Sequence, residues 1–384
     1  MLKILSTNFR DLILAILRKS ATYRKFFFVP RAAISLPKAT GIKAIYTFNE
    51  SGISRVPPLT NDPAPYWKFK MLLHAPALNT FVLDADKYRV WGNQGAVITA
   101  SGYLLREVSR EFEKKYHSIF KQLRLIRPVR LKGTSAIISA SGADMYYHWM
   151  FDIIPRIRLL RQAGFEDRDI DHYIVDYRDL PFQRESLALL GIAPEKISRS
   201  TDHFAYHITA DRLIVPSLPS ALDEVSAEAC RFLKEIFFTQ EPAISPFGDR
   251  IYLKRSGKRV IINEAEIETF LHEQGFETVH CDHYTIAEQA TIFHHARVIA
   301  GSHGAAFSNV VFCQPEAQVI EFFSPRWINP CYWTICNHTG ATYYYLVGEG
   351  SVPNSKSDAQ GTAADITLDV QKLHAFFNQF NITK

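Results

Sequence analysis

The stretch that most constrains this fold lies between two short apolar runs late in the chain. Residues 296–300 and 318–323 are the length and composition of strands buried on both faces of a parallel sheet. Between them, residues 301–309 read Gly-Ser-His-Gly-Ala-Ala-Phe-Ser-Asn, which predicts a tight turn followed by a short helix. Such a turn lies at the carboxyl end of a parallel strand, where ligands bind in open α/β sheets.

The residue types in this turn suit an anionic ligand. Gly301, Gly304 and Ala305 leave room for a ligand to approach the backbone, and His303 adds a hydrogen-bond donor. The helix that follows presents N–H groups and the positive end of its dipole, which favour a phosphate. A turn built of small residues for packing alone has the same composition, so both interpretations stay open on these residues.

Strands and helices alternate over most of the chain from about residue 133, which predicts an α/β fold. Residues 239–249 have the composition of a linker. We therefore expect two Rossmann-like domains facing a cleft: residues 32–240, which begin with a strand-rich region, and residues 249–348. A helix within 366–384 is expected to pack back on the first domain.

Charge is concentrated at the amino terminus. Seven of the 44 Lys and Arg residues but only one of the 39 acids fall in residues 1–31, so the rest of the chain is close to neutral. A near-neutral body argues against a nucleic-acid-binding protein. Residues 1–31 also carry apolar residues at helical spacing, which indicates either a membrane-surface anchor or a helix docked on the protein's own core.

The five cysteines are scattered and form no CxxC pair, which indicates buried reduced thiols rather than disulfides or a zinc site. No apolar run reaches the roughly 20 residues that a membrane-spanning helix needs. No signal peptide is evident either, and we expect a cytoplasmic protein.

A second basic cluster follows the strand predicted at 250–253. Its members are Lys254, Arg255, Lys258 and Arg259. Gly257 permits a turn, and Asn263 is placed to cap the next helix. Because this loop is expected at the same sheet edge as the 301–309 turn, we favour phosphate binding over a solvated basic loop.

His148 and Asp152 lie four residues apart near the start of a helix predicted over 145–163, with Asp144 as its cap and an interruption at Pro155. A helix amino terminus disfavours imidazolium, so His148 would stay neutral and able to accept a proton, with Asp152 orienting it. Asp152 as the base is the competing assignment. On these residues alone a capping and packing pair is the favoured interpretation, and a metal pair lacks a nearby third ligand.

Four blocks of the sequence occur in the order typical of one enzyme family. They are Gly95–Thr99 with Glu107; Tyr147–Trp149 through Pro155-Arg156; Tyr252–Arg255 with Arg259, Asn263 and Glu264; and Gly301–Ala305 with Asn309, Phe312, Pro315 and Glu321. With these residues the chain resembles glycosyltransferase family 61. It departs from the family pattern at Lys254, where Ser is usual, and at Ser302 and Ala306 inside the turn.

The resemblance implies a GT-B-like enzyme that inverts the anomeric carbon and transfers a hexose or pentose from a nucleotide-diphosphate donor, here a UDP-sugar, to a glycan hydroxyl. No metal or other cofactor is implied, and the partners would be the donor and a free or lipid-linked glycan. The diphosphate would contact Arg255, Arg259, His303, Gly304 and Ala305. Asn263, Glu264, Asn309 and Glu321 would lie near the donor sugar or ribose.

The resemblance also suggests a bacterial enzyme of capsule, O-antigen or exopolysaccharide synthesis, cytoplasmic and peripheral on the inner membrane through residues 1–31. Two other classes stay open: a sugar-nucleotide epimerase or hydrolase on the same fold, and a non-catalytic membrane-associated scaffold.

Overall fold

The computed structural model describes residues 11–111, 116–220, 224–239, 242–350 and 361–382. The first ten residues of the predicted amino-terminal segment therefore lie outside the described residues. The chain divides into two compact units, one formed by residues 1–49 and 79–219 and the other by residues 50–78 and 220–384.

The first unit is built on a ten-stranded mixed sheet. Its strands are β1 (Ala33–Ile34), β2 (Ile42–Glu50), β5 (Leu78–Asp86), β6 (Arg89–Trp91), β7 (Ala96–Ile98), β8 (Leu104–Leu105), β9 (Val129–Ile137), β10 (His172–Val175), β11 (Ile197–Arg199) and β12 (His207–Pro216). The order is β1-β8-β7-β6-β12-β9-β10-β11, and β5 pairs with both β12 and β2. Strands β12, β9, β10 and β11 are parallel, which is the alternating part that the sequence predicted.

Helices connect these parallel strands. The unit's α-helices are Ala21–Phe27, Tyr146–His148, Ile154–Gln162 and Pro181–Leu189, a π-helical turn spans Trp149–Ile153, and residues 11–17 are also helical. Short 3₁₀ helices occupy Leu36–Lys38, Arg106–Val108, Ser118–Lys121, Asp167–Asp169 and Pro194–Lys196. The helix predicted over 145–163 is thus confirmed, with its irregular turn just before Pro155. Asp144 does not cap it: Met145 holds the cap position, and Asp144 pairs with Arg178 at 2.9 Å.

The second unit contains a five-stranded sheet in which every strand is parallel. Its strands are β13 (Arg250–Leu253), β14 (Glu277–Val279), β15 (Val298–Ser302), β16 (Gln318–Phe323) and β17 (Thr342–Val347), in the order β14-β13-β15-β16-β17. The strand order reverses direction between β13 and β15, and ligands bind at such a switch point in doubly wound sheets. A small antiparallel pair, β3 (Ile53–Ser54) with β4 (His74–Ala75), belongs to the same unit.

The α-helices of the second unit are Trp67–Met71, Ala227–Phe237, Glu264–Glu273, Ile286–His295, Cys331–Thr339 and Val370–Gln379, with 3₁₀ helices at Cys281–His283 and Ala305–Phe312. The helix 286–295 begins with a capping box in which Thr285 and Glu288 bond each other's backbone N–H. These observations confirm a mixed α/β fold.

The division between the units differs from the predicted domain boundaries. Residues 50–78 and 224–239 belong to the second unit, where Leu59 bridges to Tyr344 beside β17. The carboxyl-terminal helix was expected on the first domain, and that prediction is wrong. Its Phe376 and Phe377 are buried in the core of the second unit, and Phe377 packs edge-on against Phe270 at 5.2 Å.

Candidate functional site

Two arginines meet the 301–309 turn at the switch point of the second unit. Arg255 and Arg259 follow β13, and His303 and Gly304 follow β15, so the parallel pairing of these strands brings both loops to one edge. The Nε of Arg259 donates to the carbonyl oxygen of His303 at 3.1 Å, and its Nη1 donates to that of Thr362 at 2.6 Å. The sequence prediction that the basic loop after residue 253 and the small-residue turn 301–309 lie at the same sheet edge is therefore confirmed.

Gly304 is the residue that lets Arg255 reach the turn. A Cβ added at Gly304 would stand 1.8 Å from Nη1 of Arg255, a distance that no real structure tolerates. The φ of Gly304 is −175°, an extended conformation open to any residue, so the need for glycine here is steric. Gly301 is packed in the same way, because its added Cβ would lie 2.9 Å from the Cβ of Leu253.

The charge at this edge is not neutralised locally. Among the described residues no carboxylate lies within ion-pair distance of Arg255 or Arg259, whereas Lys254 bonds Glu268 at 2.7 Å. Burial, and then the positive charge of Arg259, hold the pKa of Arg255 below the ordinary arginine value. Two partly buried guanidinium groups that repel each other form a site that an anion would stabilise.

His303 is held by a buried acid. Its Nδ1 forms a very short hydrogen bond with Oε1 of Glu321, whose Oε2 accepts an equally short one from the hydroxyl of Tyr343. Glu321 is fully buried, and His303 is 6% exposed. Burial, and then the charge of Glu321, raise the pKa of Tyr343 well above its usual range, so that hydroxyl remains a donor. Because Glu321 occupies Nδ1, Nε2 is the ring nitrogen of His303 that remains for a ligand.

The four residues predicted near the donor sugar or ribose all form hydrogen bonds within the second unit, and their contact with a donor stays a prediction. Glu321 has no exposed atom and both of its oxygens are bonded, so it positions His303. Asn309 is fully buried and its Nδ2 donates to Gln289 at 2.7 Å. Glu321 and Asn309 each bond side chains from other elements of the unit, and no local sequence pattern could indicate these partners.

Asn263 and Glu264 have equally local roles. Asn263 stands at the cap position of the helix 264–273, but its side chain forms no capping bond and instead exchanges hydrogen bonds with the backbone of Leu368. Glu264 accepts a hydrogen bond from the hydroxyl of Tyr252 at 2.9 Å. The predicted cap is therefore wrong. Asn263 bonds the carboxyl-terminal segment at Leu368, and Glu264 bonds Tyr252 of β13.

The first unit carries the predicted His148–Asp152 pair. Nδ1 of His148 lies 2.6 Å from Oδ2 of Asp152, across the π-helical turn 149–153, and the side chains are 23% and 19% exposed. With Nδ1 bonded to the carboxylate, the lone pair of a neutral imidazole lies on Nε2. The pair is thus arranged as a base with an orienting acid.

The surroundings of this pair were only partly visible in the sequence. Gly142 has a φ of +80°, and its added Cβ would be 2.7 Å from Cδ2 of His148, so the glycine makes room for the ring. Arg156 is 1% exposed and donates to the carbonyl oxygens of Ser139 and Pro216. Burial lowers the pKa of Arg156 to about 10, and the charge of Asp152 partly offsets this effect.

Three further observations concern metal binding, thiols and membrane-spanning helices. Over the described ranges no group of three or more His, Cys, Asp or Glu residues could hold a metal ion. All five cysteines are free and buried, as the sequence indicated. In the same ranges no helix is long and apolar enough to cross a membrane.

Sequence reasoning missed Tyr343 and Gly142. The apolar-aromatic run 342–346 predicts a buried strand, but not that one hydroxyl would meet the acid of the neighbouring strand. The glycine lies in a turn whose contact with His148 is set by the fold around it.

Comparison with known proteins bears on the same residues. A search of curated proteins gives no match. The crystal structure of phosphoglycerate oxidoreductase from Vibrio cholerae O395 is 10% identical to this chain, and the alignment covers 66% of this chain and 95% of that protein. The TM-score of 0.17 is too low to indicate a shared fold. The family model Glycosyltransferase 61 matches residues 146–320, a range that contains both the His148–Asp152 pair and the Arg255–His303 edge. This match over residues 146–320 supports assigning the chain to glycosyltransferase family 61.

Proposed function

We propose that this glycosyltransferase is a metal-independent, inverting enzyme that uses a nucleoside-diphosphate sugar, most simply a UDP-sugar, and a glycan hydroxyl as acceptor. The observation that carries the proposal is the convergence of Arg255, Arg259 and His303 at the switch point of a parallel sheet. The proposal includes the GT-B class of fold, with one Rossmann-like domain for the donor and one for the acceptor.

In the proposed reaction the diphosphate of the donor contacts the guanidinium groups of Arg255 and Arg259, the Nε2 of His303, and the backbone at Gly304 and Ala305. The bond between the anomeric carbon and the diphosphate breaks as the acceptor oxygen attacks, so negative charge develops on the leaving group. Fixed cations and backbone N–H groups stabilise that charge, which is the largest contribution such a site makes to the rate.

His148 is assigned as the base that takes the proton of the attacking hydroxyl on Nε2. Asp152, bonded to Nδ1, orients the ring and stabilises the imidazolium that forms. This assignment favours His148 over Asp152 because the carboxylate already accepts the short hydrogen bond from the ring. The family match spans both sites, which supports placing them in one reaction.

Thermal-shift titration with UDP, GDP, CDP and CMP, each with and without EDTA, tests the donor site. Stabilisation by one nucleoside diphosphate that EDTA does not reduce supports the proposal and identifies the donor class. Absence of stabilisation by every nucleotide contradicts the phosphate site and favours a non-catalytic scaffold.

The division of roles is tested with Arg255→Ala and His148→Ala. We expect Arg255→Ala to weaken nucleotide binding. We expect His148→Ala to bind normally but to release no nucleoside diphosphate from a panel of UDP-sugars and glycans that the wild type uses. Equal loss of binding in both variants contradicts this division. Donor turnover by the wild type without any acceptor favours a hydrolase or an epimerase.

A further inference from the structure

The first unit carries a surface where apolar and basic side chains are exposed together. Its apolar members are 39–73% exposed, although residues of this size are normally buried in a soluble protein. They are Leu12, Ile13, Ile16 and Phe26 from the amino-terminal helices, and Leu123 and Ile126 from the segment after the 3₁₀ helix 118–121. We call these residues, with the exposed cations among them, the basic–apolar surface.

The two parts of this surface lie side by side because their other faces pack together. Leu14 and Arg18 are buried, and Nη2 of Arg18 donates to the carbonyl oxygens of Ile119 and Gln122. The hydroxyl of Tyr23 donates to the carbonyl oxygen of Leu123 at 2.5 Å. The amino-terminal helices therefore dock on the fold through one face, as one of the two sequence interpretations expected, and still expose a second apolar face.

Exposed cations interleave with the apolar residues. They are Lys19, Lys25, Lys121, Arg124 and Arg127. Residues 11–28 and 118–130 contain a single acid, Asp11. Among the described residues, no carboxylate lies within ion-pair distance of these five cations. A strongly basic surface with protruding Leu, Ile and Phe side chains is typical of proteins that insert shallowly into anionic membranes.

We propose that the basic–apolar surface binds the surface of an anionic phospholipid bilayer, with Leu12, Ile16, Phe26 and their neighbours inserted at the headgroup level and the cations beside lipid phosphates. Charge complementarity selects this partner. A second copy of the chain would set like charges against each other across a two-fold axis, which disfavours self-association. A nucleic acid would leave the apolar side chains in water.

Co-sedimentation of the full chain with vesicles tests the proposal. We expect binding to phosphatidylcholine vesicles that contain phosphatidylglycerol, weaker binding at high salt, and little binding to phosphatidylcholine alone, since screening reduces the attraction of each cation. Failure of the wild type to bind the anionic vesicles at low salt overturns the proposal without any variant.

Charge reversal locates the surface. We expect Lys121→Glu, Arg124→Glu and Arg127→Glu combined to lower vesicle partitioning roughly 100-fold, because each cation near an anionic surface contributes about 1 kcal/mol. The matched control reverses three exposed cations elsewhere, Lys38, Lys70 and Arg168, with the same change in net charge. Equal loss in both triple variants overturns the assignment to this surface.

Two further measurements complete the test. The triple variant Leu12→Ser, Ile16→Ser and Phe26→Ser should lose the binding that persists at high salt, while its thermal unfolding stays that of the wild type because these side chains are exposed. Wild-type protein that instead self-associates or binds RNA through this surface, and does not bind vesicles, overturns the proposal in favour of those partners.

Discussion

The most direct test of the proposed donor site is a single added methyl group at Gly304. In Gly304→Ala the new Cβ would stand 1.8 Å from Nη1 of Arg255, so the guanidinium group, at the end of a flexible side chain, must shift away from Gly304. The backbone at this residue is extended and accepts alanine without strain. We therefore expect the substitution to displace the guanidinium of Arg255 from its place beside Gly304 while leaving the arginine itself in the sequence.

The magnitude follows from the contact that is lost. A hydrogen bond to a charged group contributes about 1.5–3 kcal/mol, and each 1.4 kcal/mol is about tenfold in affinity. We expect Gly304→Ala to weaken nucleoside-diphosphate binding roughly 10- to 100-fold by isothermal titration calorimetry with UDP, GDP and CDP. Its unfolding temperature should stay near that of the wild type, because the overlap falls on the end of a flexible side chain and the backbone at Gly304 is extended.

A double-mutant cycle makes the test sharp. If Gly304→Ala acts only by displacing the guanidinium, it should cost nothing further in an Arg255→Ala background, where the space is empty. Unchanged affinity in the single variant, or a full additional loss in the double variant, would refute the reasoning. In the second case the methyl group would be blocking the ligand itself.

Three other predictions follow from buried groups. Burial raises the pKa of Cys230, Cys281 and Cys313 to about 12, so Ellman's reagent should label native thiols slowly and all five rapidly in urea; fast native labelling would contradict the burial. Burial lowers the pKa of His207 from 6.5 to about 4. The unfolded state then binds more protons between these values, so the free energy of unfolding should fall by ~3 kcal/mol as the pH falls from 6.5 to 4, and less in His207→Gln. Glu321→Gln should lower the free energy of unfolding by about 1–3 kcal/mol in urea and weaken UDP binding, because the new amide N–H group would face His303 and Tyr343, which are themselves hydrogen-bond donors. Wild-type behaviour in both assays would show that Glu321 does not position His303.

Much of the second unit could be predicted because its elements depend on local signals. The strand 318–323 is a short apolar run and was predicted with the observed bounds. The start of the helix 286–295 is indicated by the capping-box pattern of Thr285 and Glu288. The convergence of two loops at one sheet edge followed from topology, since carboxyl ends of neighbouring parallel strands meet there.

The parts that could not be predicted depend on contacts between distant residues. Glu321 carries the same side chain whether it faces a ligand or a buried histidine, and only the pairing of β16 with β17 places Tyr343 against it. Asn263 has the sequence context of a cap, yet its amide bonds a segment 105 positions away. Residues 50–78 fall within the region that the sequence predicts to be strand-rich, and backbone hydrogen bonds between Leu59 and β17 hold them in the second unit.

The division of the chain has a practical consequence for dissecting the enzyme. Because residues 50–78 belong to the second unit, the polypeptide passes between the units three times, at residues 49–50, 78–79 and 219–220. Cutting at the apparent linker 239–249 would leave the helix 227–237 on the amino-terminal fragment, away from its own unit. The carboxyl-terminal fragment would also lose Leu59, which pairs with β17. The family-matched range 146–320 begins after β9, which lies inside the first sheet between β12 and β10. The proposed catalytic and binding residues therefore lie in a range that does not match either compact unit, and mutagenesis should be carried out in the full chain.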